Sequence, residues 1–245
     1  MRNLQNTFLN KTPIAHRGLH DISKMIPENS YLAYQAAIDK GYAIEIDVRF
    51  SNDGKVIIFH DDDLDRLTQG TGAVYNKTYE ELLKLDLQGT NEKIPLFSEF
   101  LKFIDGRVPL LIELKNIPQR KDLVAKTLEI LKDYKGEFAL QSFNPLYMYQ
   151  VKKKAPHIIR GQLAYLAPKE NMKSGFQRWI CRKMPLHFLV KPDFISYFSG
   201  NLPNDKIKKK APLLLCWTVR DEIEYDRIKD YVDNVIFENI SPEKK

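Results

Sequence analysis

Nine short runs, rich in β-branched and other apolar residues, recur along the chain with helical patterns between most of them. They cover residues 14–18, 43–50, 56–60, 109–115, 138–142, 158–164, 193–197, 213–218 and 235–238. Many are almost continuously apolar, the mark of strands buried on both faces. Between them, Asn29 or Ser30 is placed to cap a helix running to Lys40, and Gly41 stands where a C-terminal glycine belongs. Residues 119–134 carry Leu123, Val124, Thr127, Leu128 and Leu131 at helical spacing, and residues 221–230 repeat the idea. Alternating β and α implies a parallel sheet with right-handed crossovers. The expected class is α/β: an irregular (β/α)8 TIM barrel, for which 245 residues suit a single domain.

Two details resist an ideal barrel. Nine runs compete for eight places, and residues 50 and 56 are joined by Ser51-Asn52-Asp53-Gly54-Lys55, which reads as a hairpin turn. A parallel crossover needs a dozen or more residues. Either the barrel lacks a helix there or one run lies outside it. Residues 61–108 contain no strong strand but two helical stretches, 78–87 and 97–104, and are expected to form a small inserted cap. In residues 168–192, Phe176, Trp179, Ile180 and Met184 share one helical face, with Arg178, Arg182 and Lys183 beside it. This basic amphipathic segment reads as a flap packed on the barrel, or as a contact for a membrane surface or lipid tail.

The formal net charge is +6 and the pI about 9.1, which favours anionic partners such as phosphate esters or acidic membranes. No nucleic-acid motif accompanies the charge. The lysine runs at 152–154 and 208–210 read as solvated helix ends. Cys181 and Cys216 belong to no C-x-x-C pair and lie in apolar surroundings, so free core thiols in a reducing compartment are expected. Residues 1–11 lack an apolar run of signal-peptide length, and no stretch approaches a spanning helix. The expected location is the cytoplasm.

Four features carry chemistry. Ala15-His16-Arg17-Gly18 ends the first run, where barrel enzymes place reactive groups. His16 can exchange a proton near neutrality, and Arg17 offers a planar fork to phosphate. Glu45-Ile46-Asp47 puts two carboxylates on one face of an apolar strand. Their desolvation calls for a divalent cation, Mg²⁺ or Ca²⁺, or for an ion pair with Arg49 on that same face. Glu113-Leu114-Lys115 repeats the i, i+2 arrangement, as a third metal ligand beside a phosphate-binding cation or as a self-neutralising pair. His60, in Phe59-His60-Asp61, supplies a second imidazole at a strand end. Two histidines can serve phosphodiester cleavage as base and acid, while a metal, Arg17 and Lys115 offset the charge growing on phosphoryl oxygens. His20, His157 and His187 lie in less telling contexts.

In order along the chain stand His16-Arg17-Gly18, Pro27-Glu28-Asn29-Ser30, Glu45-x-Asp47, His60-Asp61 and Leu64-Asp65-Arg66-Leu67-Thr68 with Gly70-Thr71-Gly72. Ile94-Pro95, Glu113-x-Lys115, Ser142-Phe143 and Trp217-Thr218-Val219 follow. This ordered set, spanning about residues 14–238, resembles the glycerophosphodiester phosphodiesterase family. The resemblance implies an irregular (β/α)8 barrel with a small insertion before the Glu113 strand. It also implies a Mg²⁺ or Ca²⁺ ion on Glu45, Asp47 and Glu113, with His16 and His60 as the acid–base pair. Arg17 and Lys115 would take the phosphate. Glu28 would orient His16, Arg17 or the metal shell, and Phe143 and Trp217 would line the pocket. The substrate would be a small glycerophosphodiester, such as glycerophosphocholine or glycerophosphoethanolamine, releasing sn-glycerol 3-phosphate and an alcohol. The chain departs from the family at Arg220, Glu238 and Phe198, positions expected to shape the leaving-group pocket. Two further readings remain open: a lysophospholipase D or glycerophosphoinositol phosphodiesterase on the same barrel, and a non-catalytic barrel that binds phospholipid.

Overall fold

The computed structural model describes residues 2–117, 120–166 and 184–244, together with Gly175, Trp179 and Arg182. Cys181 and most of the expected amphipathic face, Phe176, Arg178, Ile180 and Lys183, lie outside the described residues. The described residues form nine strands: β1 (Ile14–Ala15), β2 (Ala43–Phe50), β3 (Val56–Ile58), β4 (Leu110–Leu114), β5 (Phe138–Ser142), β6 (Ile159–Ala164), β7 (Phe194–Phe198), β8 (Leu214–Val219) and β9 (Asn234–Phe237). All nine coincide with the nine apolar runs to within a few residues. The chain divides into two compact units, residues 15–138 and residues 1–14 with 139–245.

In the unit of residues 15–138, every residue of β2 is buried, which accounts for its unbroken run of large side chains around the two acids. β2 pairs in parallel with β4, Ile46 opposite Ile112 and Asp47 opposite Glu113. β3 pairs antiparallel with β2, Phe50 opposite Val56. The expected hairpin is therefore present: Ser51 N donates to Lys55 O at 3.0 Å, and Gly54 takes the turn at φ 77°. The run too many for a regular barrel is this antiparallel β3.

The helix Tyr31–Lys40 begins at Ser30, whose hydroxyl accepts from Ala33 N at 3.2 Å, and ends at Gly41 in the left-handed region, φ 63°. It packs by aromatic edges on the helix Phe97–Ile104, with Tyr34 to Phe100 at 4.6 Å and Tyr31 to Phe103 at 5.0 Å between ring centroids. After β3, Leu64, Leu67, Val74, Leu82, Leu87 and Ile94 gather with Ile57 and Phe59 into a small hydrophobic cluster. Within it the helix expected over 78–87 is one turn, Tyr79–Leu82, started by a capping box of Thr78 and Glu81. The chain turns after Leu82 so that Leu85 and Leu87 reach the same cluster.

In the other unit β5 to β9 lie side by side in sequence order, each parallel to the next. The helices Pro145–Lys154, Asp205–Lys210 and Glu222–Ile228 start at Asn144, Asn204 and Asp221, whose side chains accept from the first turn. Both lysine runs occupy last helical turns, as expected, where cations complement the helix dipole. Cys216 is a buried free thiol whose pKa is raised by burial. Among the described residues no helix is long and apolar enough to cross a membrane.

Candidate active site

The first run leaves the extended state sooner than its sequence suggests. β1 ends at Ala15, and Arg17 (φ 57°) and Gly18 (φ 79°) both take left-handed backbone. A Cβ on Gly18 would stand 2.8 Å from Ala33 Cβ and 2.9 Å from the Ala33 carbonyl carbon, so the turn lies directly against the helix Tyr31–Lys40. Asn29 N donates to Arg17 O at 2.9 Å and closes the turn.

This turn sets His16 and Arg17 beside the acids of β2. His16 Nε2 lies 3.8 Å from Glu45 Oε2, and Arg17 N donates to that same oxygen at 3.2 Å. Arg17 Nε is 3.6 Å from Asp47 Oδ2, while its NH1 donates to Glu28 Oε1 at 2.6 Å. Glu28 therefore contacts Arg17 directly. Asn29 Nδ2 donates to Asp47 Oδ2 at 3.1 Å.

Parallel pairing of β2 with β4 brings in the third acid. Glu45, Asp47 and Glu113 are all buried, and each offers a carboxylate oxygen within 4.8 Å of the others. Lys115 Nζ lies 3.0 Å from Glu113 Oε1 and 3.4 Å from Asp47 Oδ1. The Glu113–Lys115 pair thus exists, but inside the protein rather than on its surface. Arg49 does not serve the β2 acids; it pairs with Asp62.

The electrostatics follow from this crowding. Burial, and then the charges of Asp47 and Glu113, push the Glu45 carboxyl well above its ordinary range. Burial opposes ionisation of Asp47 too, but Lys115, His60, Arg17 and His16 outweigh it and hold Asp47 low. Lys115 stays protonated although burial disfavours its charge, because Glu113 and Asp47 face it. Asp47 Oδ1 is buried and makes no hydrogen bond. An anionic oxygen that has only the Lys115 ammonium at 3.4 Å and no hydrogen bond, in a cluster with two further carboxylates, suits a hard divalent cation of the Mg²⁺ or Ca²⁺ type.

His60 follows β3. Its Nδ1 is 2.6 Å from Asp61 Oδ1. Asp61 is held low against burial by hydrogen bonds from His60 and Arg66. Arg66 also forks onto Glu28, NH1 to Oε2 at 2.8 Å and NH2 to Oε1 at 2.9 Å. Burial raises the Glu28 pKa, yet Arg66 and Arg17 outweigh it and keep Glu28 ionised below its usual value. Sequence reasoning gave Arg66 no role and Asn29 only that of a candidate helix cap, which Ser30 takes instead. The available signal was a charged residue set between Leu64 and Leu67, both of which are buried.

Among the described residues, Glu28, Asp47, Asp61 and Glu113 pair with the cations Arg17, Arg66 and Lys115, while Glu45 lies beside His16 and has its charge disfavoured by burial and by Asp47 and Glu113.

Phe143 and Trp217 belong to the other unit, in a half-buried aromatic cluster. Their ring centroids lie 5.5 Å apart, with Tyr165 at 5.8 Å from Phe143 and Phe198 at 5.5 Å from Trp217. Trp217 Nε1 donates to Ser196 O at 3.1 Å. Arg220 and Glu238, both departures from the family pattern, pair with each other at 2.8 Å.

Residues 16–241 match the model of the glycerophosphoryl diester phosphodiesterase family. A glycerophosphodiester phosphodiesterase of Caldanaerobacter subterraneus subsp. tengcongensis is 32% identical over 235 residues, covering 91% of this chain and 92% of the relative. Among solved structures, an Oleispira antarctica phosphodiesterase in complex with the product sn-glycerol-3-phosphate is 26% identical, with a TM-score of 0.75 over 92% of this chain and 91% of the other. A glycerophosphodiester phosphodiesterase of Thermotoga maritima is 25% identical, with a TM-score of 0.69 over 92% and 94% of the two chains. The fold is the α/β barrel of the TIM type that the alternating strands and helices implied. The chain belongs to the glycerophosphoryl diester phosphodiesterase family and is an enzyme of that class, a phosphodiester hydrolase.

Proposed function

We propose that the enzyme hydrolyses small glycerophosphodiesters, glycerophosphocholine and glycerophosphoethanolamine among them, to sn-glycerol 3-phosphate and an alcohol. The observation that carries this reading is the buried triad of Glu45, Asp47 and Glu113, with Lys115 3.4 Å from Asp47 Oδ1 and His16 3.8 Å from Glu45. The triad would hold one Mg²⁺ or Ca²⁺ ion, which polarises a phosphoryl oxygen when bound. Arg17 and Lys115 are the cations that receive the phosphate and offset the charge growing on it. Glu28 fixes the Arg17 guanidinium for that task. His16 and His60 exchange the two protons: one imidazole takes a proton from the attacking glycerol hydroxyl or water, and the other returns one to the leaving alkoxide. The location consistent with the free thiol at Cys216 is the cytoplasm.

A lipid-directed variant of the same chemistry, a lysophospholipase D, is favoured by Trp179, which is 48% exposed with the exposed Arg182 nearby in sequence. The test measures glycerol 3-phosphate released from both soluble substrates with Mg²⁺, Ca²⁺ or EDTA, beside His16→Ala. Release that needs the metal and disappears in the variant is expected. Absence of release with either metal, while lysophospholipid micelles are cleaved, would replace the soluble-substrate reading with the lipid one.

A further inference from the structure

We propose that Arg66 is a positioning residue for His60, acting through Asp61 and tying His60 to Arg17 by way of Glu28. The inference rests on the reading of His60 as a proton-exchanging group. Arg66 donates from Nε to Asp61 Oδ2 at 2.6 Å and from NH2 to Asp61 Oδ1 at 2.9 Å. It also donates from NH1 to Glu28 Oε2 at 2.8 Å and from NH2 to Glu28 Oε1 at 2.9 Å. One planar guanidinium therefore fixes two carboxylates in a common geometry, which a lysine, a single rotating point charge, cannot do.

Each carboxylate hands that geometry on. Asp61 Oδ1 meets His60 Nδ1 at 2.6 Å, and Glu28 Oε1 meets Arg17 NH1 at 2.6 Å. An ionised carboxylate can only accept, so Nδ1 carries the hydrogen and Nε2 becomes the nitrogen that exchanges protons. The path His60–Asp61–Arg66–Glu28–Arg17 is continuous in hydrogen bonds and joins a proton-exchanging group to a phosphate-binding one. Its middle member is anchored from below. Leu64 and Leu67, on either side of Arg66, are buried in the small cluster, and Leu67 N donates to Leu64 O at 3.2 Å. The Arg66 side chain itself is 48% exposed while Glu28 is 7% exposed. Isolated exposed ion pairs are loose and weak; a fork that closes on two carboxylates at once is not such a pair.

The test uses the full chain, with the imidazole nitrogens followed by ¹H–¹⁵N NMR and with kinetics on glycerophosphocholine and Mg²⁺. The expected wild-type spectrum has His60 as the Nδ1–H tautomer, assigned by its loss in His60→Ala. In Arg66→Ala that signal should shift toward a mixture of tautomers. The kcat should fall by about 10- to 100-fold with KM within about twofold, a typical penalty for losing an orienting partner. In an Asp61→Asn background the same change should cost less than about threefold, because both substitutions break one path. Arg66→Lys, which retains the charge without the fork, should recover only part of kcat and guards against a misfolded Ala variant. A His60 tautomer unchanged in both Arg66 variants would overturn the proposal, as would a rise in KM alone or a full additive loss in the Asp61→Asn background. If His60→Ala keeps its kcat, the acid–base reading fails, and the NMR arm still decides whether Arg66 sets the tautomer.

Discussion

Asp47 sits in a crowded electrostatic environment. It is fully buried, held low by Lys115, Arg17 and two histidines, and neighbours a Glu45 pushed high. Burial and the neighbouring acids disfavour the Glu45 charge, and a divalent cation on this triad would offset that penalty. Glu45's raised value means that the metal-free protein is best accommodated below Glu45's unfolded pKa, about 4.3, and loses that contribution as pH rises through the folded value. Added Mg²⁺ or Ca²⁺ should therefore raise Tm, and by more at pH 8 than at pH 5; calorimetry in buffers of different ionisation enthalpy should detect proton release. Asp47→Asn should abolish the metal-induced rise. Glu28 has the opposite sign. Its depressed value contributes stability that is present above about pH 4.3 and lost as pH falls through the folded pKa. Glu28→Gln should cost about 1–3 kcal/mol at pH 7, since it weakens the pairing of two guanidinium groups, and much less near pH 3. Urea titrations at the two pH values measure the difference.

At the scale of elements, the turn between β1 and the helix Tyr31–Lys40 does two jobs with one backbone. It aims His16 and Arg17, and it presses Gly18 on Ala33. Gly18→Ala meets both the left-handed φ and the Ala33 backbone, and should cost about 1–3 kcal/mol while lowering kcat, because relief of the clash moves Arg17. Ser30→Ala is the control for helix stability without that movement. Losing the cap should cost about 1 kcal/mol and leave KM and kcat within twofold. Thermal melts and steady-state kinetics on the pair separate a turn that positions chemistry from a helix end that only stabilises.

At the scale of the whole molecule, a net charge of +6 acts before contact on a glycerophosphodiester that is itself anionic, such as glycerophosphoglycerol, and far less on the net-neutral glycerophosphocholine and glycerophosphoethanolamine. For the anionic diester, KM should rise about two- to fivefold between roughly 20 and 200 mM salt with kcat nearly constant, while for the two zwitterions it should change little. A salt-independent KM for the anionic diester would assign all recognition to the part-buried cations Arg17 and Lys115.

Much of this enzyme is legible in its sequence. Local chemistry dictates local structure: Ser30 and Gly41 bound a helix, Ser51 to Lys55 make a hairpin, and alternate positions on β2 place Glu45 and Asp47 on one face. The ordered motifs then point to a phosphodiesterase barrel. The sequence left open which cation answers which acid. Arg49 and Lys115 were both available to the β2 carboxylates; the parallel register that sets Asp47 opposite Glu113 brings Lys115 to Asp47, while Arg49 turns to Asp62. Arg66 was an unassigned charge in a loop until the packing of Leu64 and Leu67 set its guanidinium between Glu28 and Asp61. Spacing along a strand or helix is fixed within a few bonds, so the sequence alone determines it. The partner of a buried charge is chosen by register and packing between residues tens of positions apart, and only the tertiary structure decides that.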